Sequence, residues 1–511
     1  MIGRVALTGI LLIASISYPA TAFGAARSGT GGKPGIAVES ALTIKPMSSF
    51  IKVYDDRGTG AHNDIAIWRP NERLYPGFRS LGDIAMDTHE VVPQNTFLVK
   101  DVGNVLAAPS DYREVWNDKG SGGDLDGSIW EPVAPAGYTC LGAVGVAGYG
   151  KPSLNAMRCV RSDLTVAGRA SKVWDDAGSG AVGDASVWQA DAADYLGLTS
   201  STFHASASHG SPGPSSYRVL DKRKTSLFQA VREQDDPGRA RSLAPNVSLA
   251  PMERYNPSSV GFFLDHVHAD GGYLTTNNPL GCASCTDPAF LDGQVPGQVP
   301  LYAQIIRKTD SDGVPTAVTD TFYWMFYPYN NGKRICVGAE VRGTCLGGWS
   351  TFGNHVGDWE HLTVRSMDGL PDKVVLSQHS GAQIFDFGDK RLRLTEGQQS
   401  LHPEVFSASG SHALYPDIGN HTYKRIFNGS SLIDVTGYGA RWSGAPVSVF
   451  TWQSAGNYSG EFSWMNLTER WGNLKDGCAM ERLVGECVRN SGPTPPQQKG
   501  FAQPPLSAPV G

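Results

Sequence analysis

The chain has 511 residues, 43 of them basic and 49 acidic, for a formal net charge of −6. That length exceeds one ordinary domain and predicts two domains plus tails. A slight acidic excess with no basic stripe excludes the electrostatic footprint of a nucleic-acid binder.

Residues 1–22 read as a secretory signal peptide. Arg4 supplies the positive start, Val5 to Ile16 the apolar core, and Ala20-Thr21-Ala22 the small-residue cleavage signal. The apolar run is shorter than the ~20 residues a spanning helix needs. No later segment reads as a transmembrane span, so a secreted, extracellular protein is expected.

Residues 45–202 repeat themselves. VYDDRGTGAHNDIAIW starts at Val53, VWNDKGSGGDLDGSIW at Val115 and VWDDAGSGAVGDASVW at Val173. Each copy ends in a tryptophan (Trp68, Trp130, Trp188) preceded four residues earlier by an aspartate (Asp64, Asp126, Asp184). The grammar is strand, Gly-rich turn, strand, with Gly58 and Gly60 supplying the positive φ of a tight hairpin. Three such units predict closure about a pseudo-threefold axis, as in a β-prism or trefoil-like barrel, with the tryptophans sharing the core. The Asp-rich turns fit local backbone bonding, or contacts to calcium or sugar.

Residues 203–251 are rich in Ser, Gly, Pro and charge and read as a linker with one short helical segment, 226–233. Residues 252–489 alternate strands (TFYWMFYPYN, HLTVRS, KVVLSQHS, SVFTWQS) with Gly- and Asn-rich loops. They predict a β-rich, β-sandwich-like second domain, and the continuous apolar run at Phe322 to Tyr329 reads as buried core. Residues 490–511 are Pro-rich and expected to be a disordered tail. The fold class is therefore mainly β.

The chain carries 8 cysteines. An even number in an exported chain, falling in sequence-local pairs, predicts four short-range disulfides. The pairs are Cys140 with Cys159, Cys282 with Cys285, Cys336 with Cys345, and Cys478 with Cys487. Cys282-Ala-Ser-Cys285 could otherwise be a redox or metal half-site.

Ionisable chemistry concentrates in FGNHVGDWEHLTVR, residues 352–365. On a strand, Asp358 and Glu360 share one face and Trp359 and His361 the other. Carboxylates at i and i+2 lie ~7 Å apart, within the ~5 to 9.5 Å that acid and base occupy in glycoside cleavage. A half-buried strand with a polar face has the same pattern. Ser377-Gln378-His379-Ser380-Gly381 and Ser409-Gly410-Ser411-His412 bring further histidines to Gly-flanked turns, where sites form. Asp358, Glu360, His379 and His412 are the candidate catalytic set, with Trp359, His361 and Tyr415 as candidate substrate contacts. His355 joins them as a candidate ligand for a divalent metal ion. Asp265, His266, His268 and Asp270 mimic ligand spacing but read as an ordinary strand end. No Gly-x-Ser-x-Gly elbow, HExxH helix or P-loop is present.

HVGDWEHLTVR, SQHSG and SGSHALYP, in that order and preceded by ERYNPSSVGFFL and FYWMFYPYN, resemble the vacuolar protein sorting-associated protein 62 family, which is related to a plant family of unknown function. The V-W-x-D-x-G-S-G repeat is similar to the N-terminal modules of that family. By motif position the resemblance singles out Gly357, Asp358, Glu360, His361, His379 and His412, and it implies no settled mechanism or substrate. The expected function is action on, or binding of, extracellular polysaccharide or cell-surface glycan, as a hydrolase or lyase if an enzyme. The alternatives are a non-enzymatic multivalent glycan or surface binder, and a membrane-acting toxin with a lectin-like head.

Overall fold

The computed structural model describes residues 42–281, 287–338, 340–342, 344–379, 381–425, 431–442 and 446–507. The expected signal peptide and the Cys282–Cys285 pair lie outside the described residues. The described residues form one compact unit.

Each repeat folds into an antiparallel three-stranded sheet. The first is Phe50–Asp55, Ala66–Pro70 and Ile84–Met86. The second is Asp111–Asn117, Gly127–Val133 and Val144–Ala147. The third is Thr165–Asp175, Ser186–Ala192 and Phe203–Ser206. All three carry the same bulge, with the register slipping between Lys52 and Tyr54, Glu114 and Trp116, and Lys172 and Trp174. The extra residue kinks each strand at the same place. Tyr54, Trp116 and Trp174 meet in one buried core, Tyr54 to Trp116 at 6.1 Å and Trp116 to Trp174 at 5.3 Å between ring centres, edge to face. Gly127 belongs here because a Cβ would stand 2.1 Å from the Tyr54 ring.

The pseudo-threefold closure expected from the repeats is present, with different aromatics at its centre. Trp68, Trp130 and Trp188 do not share that core; each packs in a separate outer cluster. The ring is also closed by backbone. His62 N donates to Ala177 O (2.9 Å), Asp124 N to Arg57 O (2.7 Å) and Val182 N to Lys119 O (3.0 Å). Each turn thus bonds to the turn of another repeat, and the three bonds complete a cycle.

Residues 203–251 are folded, not a linker. Phe203–Ser206 completes the third repeat, and Arg218–Asp221 pairs with the start of Thr165–Asp175. The helices Ser226–Arg232 and Asp236–Ser242 follow. Asn246–Ser248 runs parallel to Ser400–Ser407. Composition misled because a few apolar side chains, Leu227, Phe228, Val231 and Ala240, are all these short helices bury.

A six-stranded sheet dominates the rest. Its order is Gly381–Asp386, Leu370–Gln378, His355–Met367, Pro315–Asn330, Leu301–Thr309 and Val447–Thr451. One face carries Tyr323, Met325, Tyr327, Leu362, Val364 and Leu376, packed on Leu394, Leu401, Val405, Val247 and Trp442 of a second sheet. The other face carries Phe322, Trp324, Phe326 and Trp359 against Trp464 and Trp471. The 322–329 run is therefore core on both faces. The segment expected to be a disordered tail is seated on this sheet in its described part. Phe501 packs in the aromatic cluster, Ala502 is buried, and Pro505 bridges Thr309. Its aromatic residue supplies the burial that its proline content concealed.

Disulfides join Cys140 to Cys159, Cys336 to Cys345 and Cys478 to Cys487, as expected. No helix among the described residues is long and apolar enough to cross a membrane.

Candidate functional site

On the strand His355–Met367, Leu362 and Val364 continue the apolar row of the inner core, and Glu360 and Asp358 take the next two places on that face. The row turns from apolar to acidic where the core gives way to a cavity of about 240 Å³. Its walls include Lys333, His355, Asp358, Glu360, His379, Ser411, Tyr423 and Lys499. Gly357 shapes the strand as it enters: φ is +70°, and a Cβ would lie 2.1 Å from the Trp471 carbonyl.

Glu360 is buried, and its carboxyl is raised well above the usual range, first by burial and then by the Asp358 charge. Ser377 donates a hydrogen bond to Glu360 and accepts one from the His361 amide. Asp358 Oδ2 lies 2.9 Å from His412 Nδ1. His412 is wholly buried and stacks on Tyr327 at 3.7 Å, and its Nε2 donates to the Tyr255 carbonyl at 3.1 Å. A carbonyl only accepts, so Nε2 carries a proton.

His379 reaches the cavity from the turn after Leu370–Gln378 and donates from Nε2 to Asp434 Oδ2 at 2.7 Å, its ring stacked on Tyr423 at 3.8 Å. Asp434 is fully buried. Lys333 Nζ lies 2.8 Å from Oδ1, Ser411 also donates to Oδ1, and Tyr415 donates to Oδ2 at 2.9 Å. Burial alone would raise the Asp434 carboxyl. The His379 hydrogen bond and the Lys333 charge outweigh it and hold the group well below the usual carboxylate range. His379 and His412 both adopt left-handed backbone, at φ +50° and +59°. Non-glycine residues accept that conformation where surrounding structure imposes it, often at functional sites.

Asp358, Glu360, His379 and His412 thus gather at or against one cavity. Of the candidate substrate contacts, His361 lies on the opposite face among Phe322, Trp324 and Phe501, and burial pushes its imidazole down to about 3. Tyr415 is covered by His421, stacked at 3.9 Å, and braces Asp434. Trp359 touches the cavity but has its ring in the aromatic cluster. His355 Nδ1 bonds the Gly357 carbonyl at 2.6 Å. Among the described residues, His355, His379 and His412 do not form a metal-ligating group. His266 and His268 are bound to the Phe262 carbonyl and to Asn277.

The sequence reading missed Lys333, Tyr423, Asp434 and Lys499. Asp434 left a signal. In Ser431–Thr436 the inward positions are Leu432, Asp434 and Thr436, while Ile433 and Val435 face solvent. An acid on the buried side of a strand that turns its β-branched residues outward inverts the ordinary pattern.

The family model described as vacuolar protein sorting-associated protein 62 matches residues 16–277 and 308–472. The vacuolar protein sorting-associated protein 62 of Saccharomyces cerevisiae is 36% identical over 188 residues, which is 34% of this chain and 36% of the yeast protein. A second protein of that yeast, vacuolar protein sorting-associated protein TDA6, is 34% identical over 235 residues, 42% of this chain and 46% of its own length. The chain spans less than half the length of the curated relatives it matches. The crystal structure of GNIP1Aa from Chromobacterium piscinae shares 28% identity with a TM-score of 0.34, covering 38% of this chain and 39% of that one. The cavity residues Lys333, Asp358, Glu360 and His379, and the buried His412 and Asp434 bonded to them, all fall within the second matched segment. With the repeats and most of the large sheet inside the matched segments, the chain belongs to the vacuolar protein sorting-associated protein 62 family.

Proposed function

We propose that the protein is a secreted enzyme that cleaves an extracellular or cell-surface glycan, as a hydrolase or lyase. One observation carries the reading. Two neighbouring carboxyls edge the same cavity in different settings: burial and the Asp358 charge raise the Glu360 carboxyl, and Asp358 is hydrogen-bonded to the enclosed His412. Paired carboxyls held in different environments divide acid and base roles between them. Glu360 donates its proton to the departing glycosidic oxygen. Asp358, with His412 behind it, takes a proton from water in hydrolysis, or from sugar carbon in elimination. Lys333 and Lys499 line the same hollow and suit a glycan bearing acidic groups. The local disulfides fit an oxidising compartment.

The test is turnover on a panel of neutral and acidic polysaccharides by the wild type, Glu360→Gln and His412→Ala. Both variants should lose at least ~100-fold, the ordinary share of a general acid or base. Unchanged turnover in both refutes the assignment. A second reading, multivalent binding without chemistry, has support in the three Gly-rich turns grouped at one end of the repeat module. It predicts glycan binding that survives both substitutions and no product at any pH.

A further inference from the structure

The repeat module holds a second constellation, apart from the cavity. Asp56, Asp64 and His89 present ligand atoms that all lie within 4.8 Å of one another, and so do Asp176, Asp184 and His209. The two groups are equivalent by repeat. Asp56 and Asp176 sit in the Gly-rich turns, and Asp64 and Asp184 are the acids four residues before the repeat tryptophan. Each histidine lies three residues past the end of its third strand, Ile84–Met86 or Phe203–Ser206. The segments carrying the histidines, DTHEV and ASHGS, are otherwise unlike. Their recurrence at one structural position is therefore a property of the site.

The geometry favours three ligands over a simple ion pair. His89 Nε2 lies 2.6 Å from Asp56 Oδ1 and 3.7 Å from Asp64 Oδ1. His209 Nε2 lies 2.9 Å from Asp176 Oδ1 and 4.0 Å from Asp184 Oδ1. A pair alone needs one carboxylate. The second acid in each group is an exposed side chain, too far from Nε2 to share its hydrogen bond. Ligands 2.0–2.2 Å from a tetrahedral ion stand about 3.4 Å from each other, and these separations bracket that value. The inner acids are already oriented: Asp56 accepts the Ile65 amide at 3.0 Å, and Asp176 the Ala185 amide at 2.8 Å. Such second contacts fix a ligand before the ion arrives.

The third repeat-equivalent position is closed. Tyr149 stands where the histidines stand, and its hydroxyl lies 2.9 Å from both Asp118 Oδ1 and Asp126 Oδ1. The phenol fills the gap between the acids and offers no imidazole.

We propose that the module binds two divalent transition-metal ions per chain, of the zinc or manganese type, one at Asp56/Asp64/His89 and one at Asp176/Asp184/His209. One imidazole with two carboxylates suits such ions, whereas calcium takes six to eight oxygens. Three protein ligands leave coordination positions for water or for a hydroxyl of a bound molecule. The sites face the turns, not the acidic cavity, so the proposal is independent of the enzymatic reading.

The experiment strips the full-length chain with a chelator and titrates it with Zn²⁺ by calorimetry, with the Co²⁺ absorption spectrum as a second readout. Two ions per chain are expected for the wild type, one for His89→Gln or His209→Gln, and none at these sites for the double variant. Tyr149→His should raise the number to three. No binding by a folded wild type, or a stoichiometry unchanged in the folded double variant, overturns the proposal. Should Tyr149→His fail to fold, the histidine deletions alone decide it.

Discussion

Replacing Asp434 by Asn removes the charge on which Lys333, His379, Ser411 and Tyr415 converge. Breaking a buried pair by removing one partner costs about 3–5 kcal/mol. Here the partners are only partly enclosed, with the Lys333 side chain 17% and that of His379 29% exposed. Both can turn toward water, which lowers the expected loss to about 2–3 kcal/mol. The pH dependence is the sharper signature. The folded carboxyl titrates below its unfolded value, so the unfolded chain binds more protons in the window between them, and stability there rises with pH. The stabilisation is complete above about pH 4, the unfolded value, and drains as pH falls toward the depressed one. Urea unfolding of wild type and Asp434→Asn from pH 7 down to pH 3 should show a gap that is full at neutrality and narrows below about pH 4. Adding Lys333→Met to the variant should cost less than the sum of the two single changes, because the pair is then removed together. A variant within ~0.5 kcal/mol of wild type at pH 7, or a gap indifferent to pH, would refute the account.

Glu360→Gln should behave oppositely. Its folded carboxyl is raised, so wild-type stability falls as pH climbs from about 4.3, the unfolded value, toward the folded one. The glutamine variant lacks that loss, and its urea midpoint should exceed that of wild type at pH 8 while matching it near pH 4. Trp174→Phe deletes the indole donor shared by Asp56 Oδ2 (3.0 Å) and the Asn63 carbonyl (2.9 Å) at the centre of the ring. About 2–4 kcal/mol should be lost, from a cavity plus a stranded acceptor, whereas half-buried Trp188→Phe should cost under ~1 kcal/mol. Gly357→Ala meets both a left-handed backbone and the Trp471 carbonyl and should cost above ~3 kcal/mol. Gly77→Ala, at φ +87° with nothing within 4 Å, should cost only ~1 kcal/mol. Equal losses at the two glycines would remove the steric argument.

The sequence disclosed the three-part symmetry because each copy reuses one turn, and turn chemistry is local. It concealed which aromatics meet at the axis. The bulge at Val53, Val115 and Val173 alters each strand just before Tyr54, Trp116 and Trp174, and no period-two reading registers an inserted residue. Asp358 and Glu360 were legible as a pair because both lie on one strand. Lys333 and Asp434 were not, since their meeting depends on how distant hairpins pack. His361 misled because GDWEH places it beside Glu360 in sequence, while strand alternation sends it to the opposite, aromatic face.

The apolar core also decides how the competing readings can be separated. Phe97, Val99, Leu106, Leu141 and Leu164, from the repeat-bearing half, lie in one buried cluster with Tyr323, Leu362, Leu376 and Leu401 of the large sheets. Burial is worth roughly 25 cal/mol per Å² of apolar surface, so stripping one side of a shared cluster exposes the other. Deleting residues 53–197 would then abolish binding and turnover together by unfolding the chain, and neither loss would locate a ligand. Point changes that leave the cluster intact are the informative ones. Val182 is 88% exposed on a turn of the third repeat, and Val182→Arg alters that surface without touching the core. If glycan binding resides in the turns, this substitution should weaken it while turnover of a small soluble substrate and the urea midpoint stay fixed. If binding resides in the acidic cavity, Glu360→Gln should change turnover and Val182→Arg should change nothing.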